Sequence, residues 1–167
     1  MGVILDTNVL IVADGRTPQA PASCVVACAE ALEAATHDVV WLDTAGEILQ
    51  EYQNNLNRTY PLGVMATFFV ELQSNLGVPE RCRSVSLTHN ADRVYEEFPE
   101  DPALVGFDRS DRKFVAVALA CGVNPDVLNA VDSDWWHYRA ALAAGGVKLI
   151  FVCPDLIDRW QEELAAN

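Results

Sequence analysis

Four groups of acidic residues, far apart along the chain, carry the side chains most capable of chemistry. Asp6 closes the run Val3-Ile4-Leu5-Asp6-Thr7-Asn8-Val9-Leu10, and Glu47 and Glu51 stand one helical turn apart. Asp108 and Asp111 precede the apolar stretch Phe114-Val115-Ala116-Val117-Ala118, and Asp132 and Asp134 follow Val127–Val131. Carboxylates gathered in one place raise each other's pKa unless a cation intervenes. Oxygen ligands with no obvious His or Cys set suit Mg²⁺ or Mn²⁺. Such ions bind a phosphodiester, lower the pKa of a bound water and stabilise the leaving oxygen. The chemistry this implies is phosphodiester hydrolysis by a metal-activated water.

Each acid also has a plainer explanation to weigh. Asp6 could cap a short helix beginning at Thr7. Thr44 and Glu47 fit the S/T-x-x-E capping box, which accounts for Glu47. Glu51 has no such role and falls ~60° around the helix from Ile48, on the border of the buried stripe. Asp108 could cap the next helix, and Asp111 could favour its positive end. Ser133 or Asp134 can cap the helix that follows, whereas Asp132 has no capping role in this reading. Asp6, Glu51, Asp111 and Asp132 are therefore the expected catalytic and metal-binding set.

Positioning them requires strands that end together. Apolar runs at Val3–Leu5, Val39–Leu42, Ser84–Leu87 (weakly), Val127–Val131 and Lys148–Val152 read as strands. Helical spacing marks Ala20–Ala35, Thr44–Leu56, Pro61–Leu76, Asp111–Cys121, Asp134–Ala144 and Asp155–Ala165. This alternation predicts a three-layer α/β fold with a central parallel sheet flanked by helices, in one domain over residues 1–167. Ligands of such sheets bind beyond the carboxyl ends of the strands, where Asp6 stands. The Pro-broken stretch from about Asn57 to Gly106 reads as a helical and loop excursion.

Composition sets the outer bounds. At 51% hydrophobic and 21% charged the chain is globular rather than disordered. It has no uninterrupted apolar run long enough for a membrane span and no basic region before Val3, so neither a membrane partner nor a signal peptide is expected. Five cysteines, an odd number, read as reduced, mostly buried thiols of a cytoplasmic protein. A net charge of −13 argues against bulk attraction to nucleic acid, but leaves room for an acidic pocket acting through metal ions. Glu96, Glu97, Glu100 and Asp101 are expected as solvated loop acids. Arg109, Arg112 and Lys113, with Arg58, Arg81 and Arg83, could hold phosphates, or form an ordinary polar face. Trp135 and Trp136 are expected to pack rather than to stack on bases.

In order and spacing these motifs resemble the PIN-domain nuclease family, a compact α/β fold related to flap endonucleases. The matching pieces are residues 3–10, Glu47-Ile48-Leu49-Gln50-Glu51-Tyr52 with Leu56, Asp108 to Ala118, and Asp132-Ser133-Asp134-Trp135. The resemblance implies that Asp6, Glu51, Asp111 and Asp132 form a metal-binding acidic cluster. Asp134 and Asp108 would be secondary ligands, with Glu47 in reserve, and Asn8 would orient Asp6 or a metal-bound water. It further implies cleavage of single-stranded RNA with Mg²⁺ or Mn²⁺, often by the toxin of a toxin–antitoxin pair, and is compatible with a homodimer. Two departures stand out. Ala130 occupies the place where the family's last motif usually carries Thr, and the region from Asn57 to Gly106 is longer than in minimal members. Two other classes compete: a non-catalytic PIN-like module binding RNA or protein, and a haloacid-dehalogenase-type phosphatase. The phosphatase needs a second Asp two residues after the first, and this chain has Asn8.

Overall fold

The computed structural model describes residues 2–56 and 63–153, with Leu156, Asp158, Arg159, Glu162, Glu163 and Ala165 beyond them. Its strands are β1 (Val3–Leu5), β2 (Val40–Asp43), β3 (Cys82–Val85), β4 (His89–Asn90), β5 (Val94–Tyr95), β6 (Asp126–Asn129) and β7 (Lys148–Phe151). Five of them form one sheet in the order β3-β2-β1-β6-β7, every neighbouring pair parallel. The helices are α1 (Thr7–Ala13), α2 (Ala22–Thr36), α3 (Glu47–Asn55), α4 (Val64–Ser74), α5 (Arg112–Ala120) and α6 (Ser133–Ala144). This is the expected α/β class, with helices around a parallel sheet.

The strand order reverses between β1 and β6, and at such a switch point the connections leaving the two strands diverge and open a crevice. Register fixes what lines it. Val3, Ile4 and Leu5 pair with Asp126, Val127 and Leu128, and the Asp6 amide continues the ladder to the Leu128 carbonyl at 2.9 Å. Asp6 is thereby set at the carboxyl edge next to the exit of β6.

Burial explains which elements were easy to foresee. All four residues of β2 are buried, while edge strands β3 and β7 alternate with exposed positions, as expected for covered and uncovered parts of a parallel sheet. Phe114, Val115, Ala116 and Val117 of α5 are all fully buried, because that helix packs on β1, β2 and β6 and is overlaid by β5. No helix among the described residues is long and apolar enough to cross a membrane.

Several expectations need correction. The helix expected from Thr44 starts at Glu47, and Thr44 takes no part in a capping box. Its hydroxyl donates to Ser86 Oγ at 3.3 Å. Asp43 does the capping, accepting from the Glu47 and Ile48 amides at 2.8 and 2.9 Å, across a turn in which Gly46 takes the left-handed φ of 80° that a Cβ disfavours. The strand weakly expected over Ser84–Leu87 is present two residues earlier as β3 and joins the main sheet, and the stretch expected as an excursion adds an unforeseen two-stranded β4–β5 hairpin. Asn57, Arg58 and Pro61, together with much of the expected Asp155–Ala165 helix, lie outside the described residues.

The cysteines differ as well. Cys24 and Cys153 are disulfide-bonded, 129 residues apart, rather than reduced. Cys28, one turn along α2, places its sulfur 3.8 Å from that of Cys153, and burial pushes its thiol up to about 12. Helical spacing put Cys24 and Cys28 on one face; the approach of Cys153, two residues past the end of β7, is a tertiary event with no local signal.

Candidate active site

Three of the four expected acids arrive at the switch point from three directions. Asp6 and Asp132 leave adjacent strands and do so in the same way, each as the N-cap of the next helix. The Asp6 carboxylate accepts from the Asn8 amide at 2.8 Å, and that of Asp132 from the Asp134 amide at 2.8 Å. Asp132 is thus a cap after all. Helix α6 begins at Ser133, one residue earlier than expected, so the capping place falls on Asp132. Capping uses one side of each carboxylate and is compatible with a second role for the other. Asp111 also sits at an N-cap position, that of α5, but makes no side-chain cap bond. Its Oδ2 instead accepts from the indole of Trp135 at 3.1 Å.

The acids feel one another. Burial pushes the Asp6 carboxyl well up, and the charges of Asp111, Asp132 and Glu51 push it further. Asp111 rises to about 7, through burial first and then the charges of Asp132 and Asp108. Asp132 rises through burial, with Asp134 and Asp108 adding to it. Desolvation and like charge act in the same direction in all three, which is the electrostatic mark of a carboxylate cluster.

Asn129 ties two of them together, a role that sequence reasoning missed. Fully buried at the end of β6, it donates from Nδ2 to Asp6 Oδ2 at 3.3 Å and accepts from the Asp132 amide at 3.2 Å. A polar residue inside the apolar run Val127–Val131 was the available signal. Tyr52, also missed, is fully buried beneath the site and donates to the Leu5 carbonyl, fixing α3 to the end of β1.

Glu51 faces Asp6 from α3, but both its oxygens are already engaged. Thr7 Oγ1 donates to Oε1, and the ammonium of Lys113 pairs with Oε2. Glu47, one turn earlier, turns away from the cluster. It accepts from the Tyr95 hydroxyl at 2.5 Å and lies 3.0 Å from His89 Nε2, so it holds the β4–β5 hairpin against α3. Asn8 reaches Asp6 through its backbone amide only; its side-chain carbonyl accepts from the Ala130 amide at 2.8 Å and staples α1 to the end of β6. Asp134 accepts from the Asp108 amide at 3.1 Å. Asp108 folds back on Ser110, which lowers its pKa, and does not cap α5.

The expected basic residues take different places. Arg112 is buried, donating to the carbonyls of Arg93, Leu104, Val105 and Phe107 with its guanidinium 4.5 Å from the Phe98 ring. It is a staple of the fold. Arg109 donates to the Ala91 and Asp92 carbonyls and secures the hairpin turn. Arg81 and Arg83 enter β3 at its amino end, bonding the Thr36 and Pro79 carbonyls, away from the acids. Trp135 and Trp136 are both buried.

Beside the cluster runs an open groove of about 600 Å³. Gln50, Glu51 and Asn54 of α3 form one wall, Val94 and Tyr95 of the hairpin the other, with Arg109 and Lys113 between them. Val94 takes a φ of 75°, a left-handed conformation that a β-branched residue adopts only when its surroundings enforce it.

An all-oxygen set of Asp6, Asp111 and Asp132 has the donor chemistry of a Mg²⁺ or Mn²⁺ site. The carboxylates nevertheless stand apart. Among the described residues, the group of three ligand atoms within 4.8 Å of one another is Cys24, Cys28 and Cys153, and no three of these acids meet that distance. Mutual repulsion favours that wider spacing. Comparison with family models, with curated proteins and with solved structures gave no match to this chain. The fold and the cluster at its switch point are therefore what a functional reading rests on.

Proposed function

We propose that this protein is a divalent-metal-dependent nuclease of the PIN-like type that hydrolyses phosphodiester bonds in single-stranded RNA. One observation carries the reading: Asp6, Asp111 and Asp132, delivered by three separate elements to one strand edge, all have carboxyl pKa values raised by burial and by the charges of neighbouring carboxylates. Holding several ionisable groups in that state costs stability, and such costs concentrate at functional sites. A Mg²⁺ or Mn²⁺ ion held by these acids would supply Lewis acidity and a more acidic water. The chain's own residues do the rest. Asn129 fixes the relative position of Asp6 and Asp132, Trp135 orients Asp111, and a groove of about 600 Å³ opens alongside, at Glu51 and Ser110. Arg109 and Lys113 line it with their cationic groups already engaged by the chain, and the chain's strong negative charge keeps bulk attraction to nucleic acid low.

Cleavage of a fluorescent single-stranded RNA by purified protein with Mn²⁺ tests this. Wild type should cut, and Asp6→Asn, which preserves the cap acceptor and the fold, should lose activity by at least about a hundredfold, as loss of one polar transition-state contact does. No cleavage of RNA or DNA by wild type at any Mn²⁺ concentration overturns the proposal. A second reading, a non-catalytic RNA-binding module, draws support from the wide carboxylate spacing and from the engagement of Glu51 by Lys113. RNA binding that persists unchanged in EDTA, with no cleavage, favours it.

A further inference from the structure

Outside the acidic cluster, Cys24, Cys28 and Cys153 bring three sulfurs within 4.8 Å of one another, all of them buried. The disulfide uses two of these, joining Cys24 to Cys153. Cys28 is a free thiol, held with its sulfur 3.8 Å from that of Cys153. The fold explains the convergence. Cys24 and Cys28 stand one turn apart on α2. Cys153 follows β7 by two residues, just after the Val152 amide has extended the ladder to the Asn129 carbonyl at 2.8 Å. Cys24 also lies in the first turn of α2, where the helix dipole favours a thiolate.

We propose that reduction of the Cys24–Cys153 bond turns this cluster into a three-thiolate site for one soft divalent cation of the Zn²⁺ and Cd²⁺ kind. Sulfurs on a tetrahedral shell about 2.3 Å from Zn²⁺ stand about 3.8 Å apart. Cys28 and Cys153 already have that separation, and Cys24 reaches it by turning its sulfur away once the bond is open. Among the described residues no further His, Cys, Asp or Glu joins the group, so the ion has three protein ligands. Thiolate sulfur selects soft ions over Mg²⁺ and Mn²⁺, which keeps this site chemically distinct from the acids. A dithiol reductant breaks the S–S bond by giving it two electrons and two protons, and itself closes to a disulfide. The ion then replaces the proton on each sulfur, and three protons leave to solvent. Either state, disulfide or metal, pins the strand end beside Asn129, which bonds Asp6 and the Asp132 amide.

Titration of the full chain with Cd²⁺ tests this, followed by the ultraviolet thiolate-to-cadmium charge-transfer band, which carboxylate ligands do not give. The protein is first reduced with a phosphine, which takes an oxygen from water as the bond opens and adds no competing thiol. Reduced wild type should show the band, with a break at one Cd²⁺ per chain, and unreduced wild type should not. Cys28→Ser keeps the disulfide, so its fold is verifiable before reduction. After reduction it should bind Cd²⁺ at least about a hundredfold more weakly, beyond what loss of an outer-shell partner usually costs. Cys121→Ser, outside the cluster, should match wild type. No band in reduced wild type, an equal band without reduction, or equal affinity in reduced Cys28→Ser overturns the proposal. Should the reduced chain unfold, Cd²⁺ should restore the circular dichroism of wild type and not of Cys28→Ser; equal recovery in both, or none in wild type, overturns it. RNA cleavage with Mn²⁺ is a separate measurement, and its outcome leaves this site untouched.

Discussion

Replacing Asp111 by Asn should make the metal-free protein more stable at alkaline pH, although it removes an acid from the proposed site. The Asp111 carboxyl is raised from 3.8 to about 7, first by burial and then by Asp132 and Asp108, with Lys113 and the Trp135 indole pulling the other way. A carboxyl whose folded pKa exceeds its unfolded value binds its proton more tightly in the folded state. Its stabilising contribution is complete below about pH 4 and is lost as pH climbs through about 7. Roughly three pKa units amount to about 4 kcal/mol in all, of which about 3 kcal/mol disappears between about pH 5 and pH 8. Against a total stability of about 5–15 kcal/mol, that is large. Asparagine keeps the shape and offers an acceptor to Trp135, but has no charge to desolvate. Urea melts in EDTA should show wild type losing about 3 kcal/mol more than Asp111→Asn from pH 5 to pH 8, the slope left in the variant coming from Asp6 and Asp132. At pH 8 the variant should melt roughly 10 °C higher, at a few degrees per kcal/mol for a chain of this size. Parallel pH curves for the two proteins, or a variant less stable than wild type at pH 8, would refute the reasoning.

Two further outcomes follow from the fold. Arg112→Met should destabilise the protein by about 3 kcal/mol, because two buried and two part-buried carbonyls lose charge-assisted donors; a loss below about 1 kcal/mol in urea melts would contradict the staple role. Thiol titration in denaturant should find three reactive cysteines without reductant and five with it, since Cys24 and Cys153 are paired. Reduction should lower stability by about 2–4 kcal/mol, and five reactive thiols before reduction would show the bond to be absent.

How much of this was readable beforehand depended on whether the signal was local. The central strands were plain because β1 and Val40–Leu42 of β2 are largely buried and so read as short apolar runs. β3 was faint because Arg83 and Ser84 of an edge strand face solvent. The residues of the cluster were nameable because an acid closing an apolar run is conspicuous. Their hydrogen-bonding roles were less so: Thr44 and Glu47 matched a capping box that Asp43 supplanted, and Asp132 caps a helix whose start was misplaced by one residue. Burial of Arg112 and Lys113 was not legible at all. Both lie at the head of an apolar helix, where a pattern of residue types assigns charged side chains to solvent, and only the hairpin and α3 arriving from elsewhere enclose them. The hairpin was invisible because its strands are two residues each, too short to show alternation.

That hairpin is more than a surface ornament. Tyr95 reaches Glu47 on one side, Arg109 grips the turn at Ala91 and Asp92 on the other, and Arg112 holds the Arg93 carbonyl from below. Three anchors on so small a ribbon leave Val94 clamped in a conformation it would not choose. Splicing a tag or reporter into residues 89–95 would accordingly disturb α3 and α5 at once, and with them the seats of Glu51 and Asp111. Anyone building a fusion on this scaffold should place the graft elsewhere, however loop-like the segment looks in a one-dimensional reading.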